Sequence, residues 1–447
     1  MKIRSAGEAS RKRVVVASLS AVLMLGTTLV AATASHAATV THVKLWSWYP
    51  NQADVVKVFN ATHKDIQIDW TNAGAGGAEY TKLKACIKAG SGCPDVAMIE
   101  FQELPTFAIL KPFVDMGKYG ANNTGGKYAG WAWGQSTSGT KVNAIPIDGG
   151  PMGLMYRKDL FTQANLPVPT TWAQYETDAA AIHAADPTQY IATFGNDSGW
   201  AHGLMWQGGC VPYKYNAAAS LTKVSIHLNT AACKNVINFW GGLVDKGLVD
   251  TKPFFSTDAG TDFDSGKYWT WEAAGWSPGY MAGLIKTSLG NWALAPSPQY
   301  TAGTDIQSDW GGSTFTVINQ TKVPAAASFV AINTYPAKDT LASGTAWDIG
   351  LNKAFLYPLP SNISGNKKWL TQTYPIFGTQ QTNQILLHAS KTADLNYQWT
   401  PFQDFIFQTM HDEFALALSK KEAWSATLDN IQAKSVAYAK AQGFSVS

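Results

Sequence analysis

Tryptophans and carboxylates stand in this sequence where they could hold a small polar molecule. Trp48 follows an apolar stretch, Trp200 ends the polar run Gly195-Asn196-Asp197-Ser198-Gly199, Trp276 follows Ala274-Gly275, and Trp310 precedes Gly311-Gly312. With 18 Trp and 17 Tyr, the chain can build a wall of aromatic faces. Flat rings cover apolar C–H faces, and a carboxylate accepts two hydroxyl donors at once. Asp148 stands before Gly149-Gly150, Glu100 ends an apolar strand, and Glu79 follows the glycine-rich Gly74-Ala75-Gly76-Gly77. Such a set suits a ligand with apolar faces and a hydroxyl rim, as a sugar has.

Signatures of common enzyme classes are missing. The sequence has no Gly-x-Ser-x-Gly elbow and no His-Glu-x-x-His, and its eight His are scattered. The run from Gly260 to Gly266-Lys267 has one residue too many for a phosphate loop, and Tyr268 replaces the required Ser or Thr. No dinucleotide-binding Gly-x-Gly-x-x-Gly follows the first strand. Asp148 and Glu272 are the pair a glycoside hydrolase could use, because its two carboxylates need only be close in space. A binder of a polyol or a peptide is a further alternative. Neither a cofactor nor a metal is expected.

Composition narrows the field. Of the 447 residues, 46% are apolar and 15% charged, enough for two folded domains of ordinary size. Lys2, Arg4, Arg11, Lys12 and Arg13 precede an apolar stretch at 14–34, and Ser35-His36-Ala37 offers small residues where a signal peptidase reads. Cleavage is expected after Ala37; an uncleaved anchor is the alternative. Segment 1–37 has a net charge of +4 against +3 for the whole chain, so the remainder is near −1 and no nucleic-acid partner is expected. Cys86, Cys93, Cys210 and Cys233 match no zinc spacing, and in an exported chain an even number suggests disulfides. Three pairings exist; Cys86–Cys93 with Cys210–Cys233 is favoured because each closes a short loop.

These residues need elements to position them. A strand is expected at 40–48, a helix at 52–60, a strand at 66–70, a helix at 78–89 ended by Gly90, and a strand at 94–99. This alternation argues for parallel α/β layers. A strand at 144–147 runs into Gly149-Gly150 and another starts near Gly153. Thr171 and Gln174 form a capping box opening a helix. Strand 314–318 follows Gly311-Gly312-Ser313, and 396–442 is mostly helical.

Val43-Lys44-Leu45-Trp46-Ser47-Trp48, Tyr80-Thr81-Lys82-Leu83, Pro94-Asp95-Val96, Ala144-Ile145-Pro146 through Leu160-Phe161, Pro169-Thr170-Thr171-Trp172, the stretch 263–276 and Gly311-Gly312-Ser313 follow one another in a recognisable order. In that order the chain resembles the family-1 extracellular solute-binding proteins of ABC importers, the group that includes maltose-binding protein. The lipid-anchoring Cys of Gram-positive members is not matched here. The resemblance implies two discontinuous α/β lobes joined by a multi-crossing hinge, the type II periplasmic-binding-protein arrangement. The lobes would be 38–148 with 312–372, and 149–311 with 373–447. A monomer would bind a carbohydrate between them, outside the cell, and deliver it to permease subunits. By position Trp200 and Trp276 resemble ring-stacking aromatics of the family. Trp48, favoured over Trp46, and Trp310 with Gly312 would face the cleft. Glu100 and Asp148 would accept sugar hydroxyls, whereas Glu79 serves equally well as a ligand contact or as a first-turn acid.

Both cysteine pairs lie in a chain expected to be exported, so titration of the native protein under denaturing, non-reducing conditions should find no free thiol. Two or more would contradict the pairing.

Overall fold

The computed structural model describes residues 39–49, 52–333, 370–371 and 373–447. The expected signal segment at 1–37, and nearly all of the 334–372 part of the first expected lobe, lie outside the described residues.

Strand β1 (Thr41–Trp46) buries Val43 and Leu45 while His42 and Lys44 face out, the alternation of a half-covered strand. Helix α1 (Gln52–Thr62) leads to β2 (Ile66–Thr71), and α2 (Gly77–Ala89) leads to β3 (Val96–Glu100). Both strands pair with β1 in parallel, as the alternation predicts. Gly90 ends α2 in the left-handed conformation at φ 69° and caps it through its N–H. The short β4 (Ile145–Pro146) belongs to the same sheet although some 45 residues separate it from β3.

A second sheet centres on β5 (Met152–Arg157). Downstream come α3 (Trp172–Ala185), α4 (Ser198–Gln207), α5 (Ala231–Asp245), β6 (Thr270–Ala274), α6 (Ser277–Ala282) and β7 (Trp292–Ala295). Here the expectation of parallel layers fails: β6 and β7 flank β5 and both run antiparallel to it. The chain then returns as β8 (Ser313–Val317), which enters the first sheet antiparallel between β3 and β4, giving the order β2-β1-β3-β8-β4. Helices α7 (Gln403–Leu418) and α8 (Trp424–Ala441) close the chain; α7 packs on α4, and α8 on α5. The architecture is a two-lobed α/β fold; besides these two sheets the described residues form a further three-stranded sheet and a two-stranded hairpin.

Local chemistry explains several boundaries. Thr171 Oγ1 accepts from Gln174 N at 3.2 Å to start α3, and the Gln174 side chain reaches back to Thr170 N at 2.9 Å, a capping box displaced by one residue. Disulfides form as expected, Cys86–Cys93 across the end of α2 and Cys210–Cys233 between the segment after α4 and the start of α5. Trp269 and Trp271, two residues apart and so on the same side of the chain, are both buried in the core of the second sheet.

Trp200 requires a correction. Residues 195–200 are no open loop: Asp197 caps α4 by accepting from Trp200 N at 2.7 Å, and the Trp200 ring turns into the core at 1% exposure. Its rings pack edge-on against Phe194, Trp240 and Phe254, and its Nε1 donates to the Glu272 carbonyl at 2.8 Å. A ring so enclosed cannot stack on a ligand. Trp200→Ala should lower unfolding stability by about 3–5 kcal/mol, measured by denaturant melts of ligand-free protein; a loss below about 1 kcal/mol would refute the core assignment.

Candidate ligand-binding cleft

Two backbone segments cross from one sheet to the other side by side. Ile147 N donates to Ser313 O at 2.8 Å, Trp310 N to Gly150 O at 2.8 Å, and Met152 N to Ser308 O at 3.0 Å. A Cβ on Gly150 would lie 2.1 Å from the Trp310 carbonyl oxygen, so no other residue fits. Gly311 and Gly312 take φ of +97° and +91°, the region glycine enters without strain.

Beside this crossing lies a cleft of about 690 Å³. Trp48, Tyr49, Glu100 and Gln102 line it from the first sheet, and Asp148 with residues 310–313 from the crossing. Residues 196–199, Trp276 and Tyr280 line it from the second sheet's side, and Trp399, Asp404, Phe407, Gln408 and His411 from the C-terminal region. Six sequence-nominated residues thus meet here: Trp48, Glu100, Asp148, Trp276, Trp310 and Gly312. Trp200 and Glu79 do not. Glu79 sits in the first turn of α2, fully buried, and neither carboxyl oxygen has a hydrogen-bond partner among the described residues. Desolvation pushes its pKa up to about 8, although Lys82 pulls the other way, so it is a neutral buried acid.

Each cleft residue is held from behind. Tyr80 on α2 donates to Glu100 Oε2 at 2.9 Å and accepts from Glu100 N at 3.0 Å, so one phenol fixes both ends of that residue. The same ring meets Trp48 edge-on, with centroids 5.5 Å apart. Trp276, at the start of α6, donates from Nε1 to Trp310 O at 2.9 Å, and their rings cross at 63° with centroids 4.7 Å apart. Ser198 Oγ donates to Phe407 O at 2.7 Å and ties α4 to α7.

The electrostatics are one-sided. Glu100, Asp148, Asp197 and Asp404 line the cleft, with no Lys or Arg among the lining residues. Burial raises Glu100, against the hydrogen bonds from Tyr80 and Gln102. Asp148 accepts from Ser313 N, yet burial and then repulsion from Glu100 push it up to about 8. Asp309, buried at the crossing, is raised well above its ordinary value by desolvation and by Asp148, and its Oδ2 has no hydrogen-bond partner among the described residues. A protonated Asp148 can donate as well as accept, which matches a hydroxyl, itself donor and acceptor. Of charged or readily charged side chains, an anionic ligand would meet among the described lining residues only these acids and His411.

Five of the lining residues that sequence reasoning missed come from 399–411, namely Trp399, Asp404, Phe407, Gln408 and His411. Their apolar spacing reads as a helix packing face, and Phe407 does pack on the core beneath the first sheet. Trp399, whose Nε1 donates to Gln135 Oε1 at 3.0 Å, was the one signal available, a Trp just before Thr400-Pro401. The suspected hydrolase pair is not assembled: Glu272 lies in β6, 2% exposed, its carboxyl accepting from Ser297 Oγ, and it does not line the cleft. Among the described residues no cluster of His, Cys, Asp and Glu could hold a metal ion.

A family model described as bacterial extracellular solute-binding protein matches residues 48–332. A lactose-binding protein from Rhizobium radiobacter is 24% identical over 331 residues, 69% of this chain and 71% of that protein. An ABC-transporter-associated binding protein from B. animalis subsp. lactis Bl-04, solved with β-1,6-galactobiose, superposes with TM-score 0.75 at 26% identity, covering 91% of this chain and 100% of that one. The galacto-N-biose-/lacto-N-biose I-binding protein from Bifidobacterium longum, solved with lacto-N-biose, superposes with TM-score 0.77 at 20% identity over 91% and 99% of the two chains.

The raised Asp148 has a thermodynamic consequence. Its folded pKa of about 8 exceeds the ordinary 3.8, so between those values the folded state binds the proton more tightly and stability falls as pH rises. Melting the ligand-free protein from pH 5 to 8.5 should show that fall, and Asp148→Asn should flatten it in part, since Glu79 and Glu272 are raised to about 8 as well. An unchanged slope in the variant would contradict the desolvated state of Asp148.

Proposed function

The chain belongs to the bacterial extracellular solute-binding proteins, and on that premise we propose that it captures a neutral carbohydrate outside the cell and hands it to the permease subunits of an ABC importer. The observation carrying this reading is the meeting of Trp48, Trp276 and Trp310 with Glu100 and Asp148 in one cleft. Aromatic faces take the C–H side of a sugar ring and the carboxyls take its hydroxyl rim. The lactose-binding relative and the relative solved with galactobiose support testing galactose-containing disaccharides first.

Capture is by closure. The lobes are 38–148 with 312–372 and 149–311 with 373–447, and the paired glycines at the crossing form the hinge. This division is supported by the composition of the sheets, one built from strands within 41–146 and 313–317, the other from strands within 152–157 and 270–295. A ligand touching Glu100 and Trp48 on one side and Trp276 on the other binds the closed state better, and that difference drives the equilibrium. The protein acts as an exported monomer and performs no chemistry on the sugar; the family's description as extracellular and solute-binding supports export and binding.

Calorimetry against galactobiose, lacto-N-biose, lactose and maltotriose should give saturable binding to at least one, with a smaller radius of gyration by small-angle scattering and no product by chromatography. Trp276→Ala should weaken binding by about 1–3 kcal/mol with little change in ligand-free melting. An unchanged radius at saturation would point to a rigid lectin, and product formation to a hydrolase.

A further inference from the structure

Phe254 and Phe255 are neighbours with opposite fates. Phe254 is 1% exposed and packs among Trp200, Trp271 and Trp310, whereas Phe255 is 48% exposed. A single exposed apolar side chain is ordinary and means nothing by itself. The surroundings of Phe255 set it apart. Its ring lies 27° from parallel to Trp276 at 6.3 Å, meets Tyr280 edge-on at 5.3 Å, and stands 6.3 Å from Trp310. All three of those neighbours line the cleft, and Phe255 itself does not. The aromatic wall therefore continues past the rim, from Trp310 at the crossing through Trp276 to a ring that keeps half its surface in water. Burial of Phe254 anchors the turn beneath, so the position of Phe255 is set by the core.

We propose that Phe255 is an outer subsite that stacks on a sugar ring projecting from the cleft, so that this protein discriminates oligosaccharides by length. The inference rests on the carbohydrate reading above. A disaccharide seated between Trp48 and Trp276 leaves Phe255 untouched, whereas a longer chain leaving the cleft along Trp276 reaches it. The apolar surface that Phe255 shows to water is then covered only by the longer ligand, and the gain falls on that ligand alone. Tyr280, edge-on to Phe255 and facing the cleft, stands where a bridging hydroxyl would pass.

The test measures dissociation constants of the wild type, Phe255→Ala and Phe255→Trp for galacto-oligosaccharide and malto-oligosaccharide ladders of two to six rings. In the ladder that binds, the wild type should gain affinity with length, and Phe255→Ala should lose about five- to tenfold on the longer members while disaccharide binding is unchanged. Phe255→Trp should restore the length preference. Melting of the ligand-free variants checks that all fold alike. Equal losses at every length, or no loss at any, overturn the subsite and leave the carbohydrate reading standing. If neither ladder binds the wild type, the carbohydrate reading itself falls and takes the subsite with it.

Discussion

The cleft depends on one close approach: two backbone strands crossing in opposite directions with nothing between them. Gly150 faces the carbonyl of Trp310 so closely that a single methyl group would part the strands. Because the strands touch, the hydrogen bonds at Ile147, Trp310 and Met152 can form, and those bonds set where Asp148 and Trp310 point. Trp276 is bound to the carbonyl of Trp310, so its position is inherited from the same crossing. A glycine pair at a hinge is usually explained by freedom to rotate. At Gly150 the reason is space; at Gly311 and Gly312 it is the left-handed backbone.

Around the crossing the protein tolerates acids without cations. Asp148, Asp309 and Glu100 share a small volume, all raised by desolvation, and no lysine or arginine lines the cleft beside them. Removing carboxylates from water without a countercharge is costly, and protonation is the usual escape. The result is a floor of carboxyl groups able to give as well as take hydrogen bonds, between aromatic walls. Tyr80 adds order by gripping Glu100 through both its carboxylate and its amide.

Much of this was legible in the sequence. The first three strands, their helices and the paired glycines are where pattern and resemblance place them, and six of the eight nominated residues line one cleft. The misses have physical causes. Trp200 was read from polar neighbours, but polar residues before a helix are also its cap, and Asp197 serves that role while the ring three positions on turns inward. Glu79 stands in a helical first turn where an acid is ordinary, and its burial leaves no local pattern. The antiparallel β6 and β7 could not be told from parallel strands by composition, since a sheet covered on both faces erases alternation. Residues 399–411 reach the cleft only by long-range packing, which leaves no local pattern.

An uncharged ligand gains nothing from the field of an acidic cleft with no lysine or arginine among its described lining residues. Encounter is therefore unsteered, and the association rate is set by diffusion and by the fraction of molecules standing open. Dissolved salt, which screens charge attraction and slows steered binders, has little to act on here. Outside the cell, where ionic strength follows the surroundings, a receptor built this way would fill at a rate that tracks sugar concentration and ignores the brine.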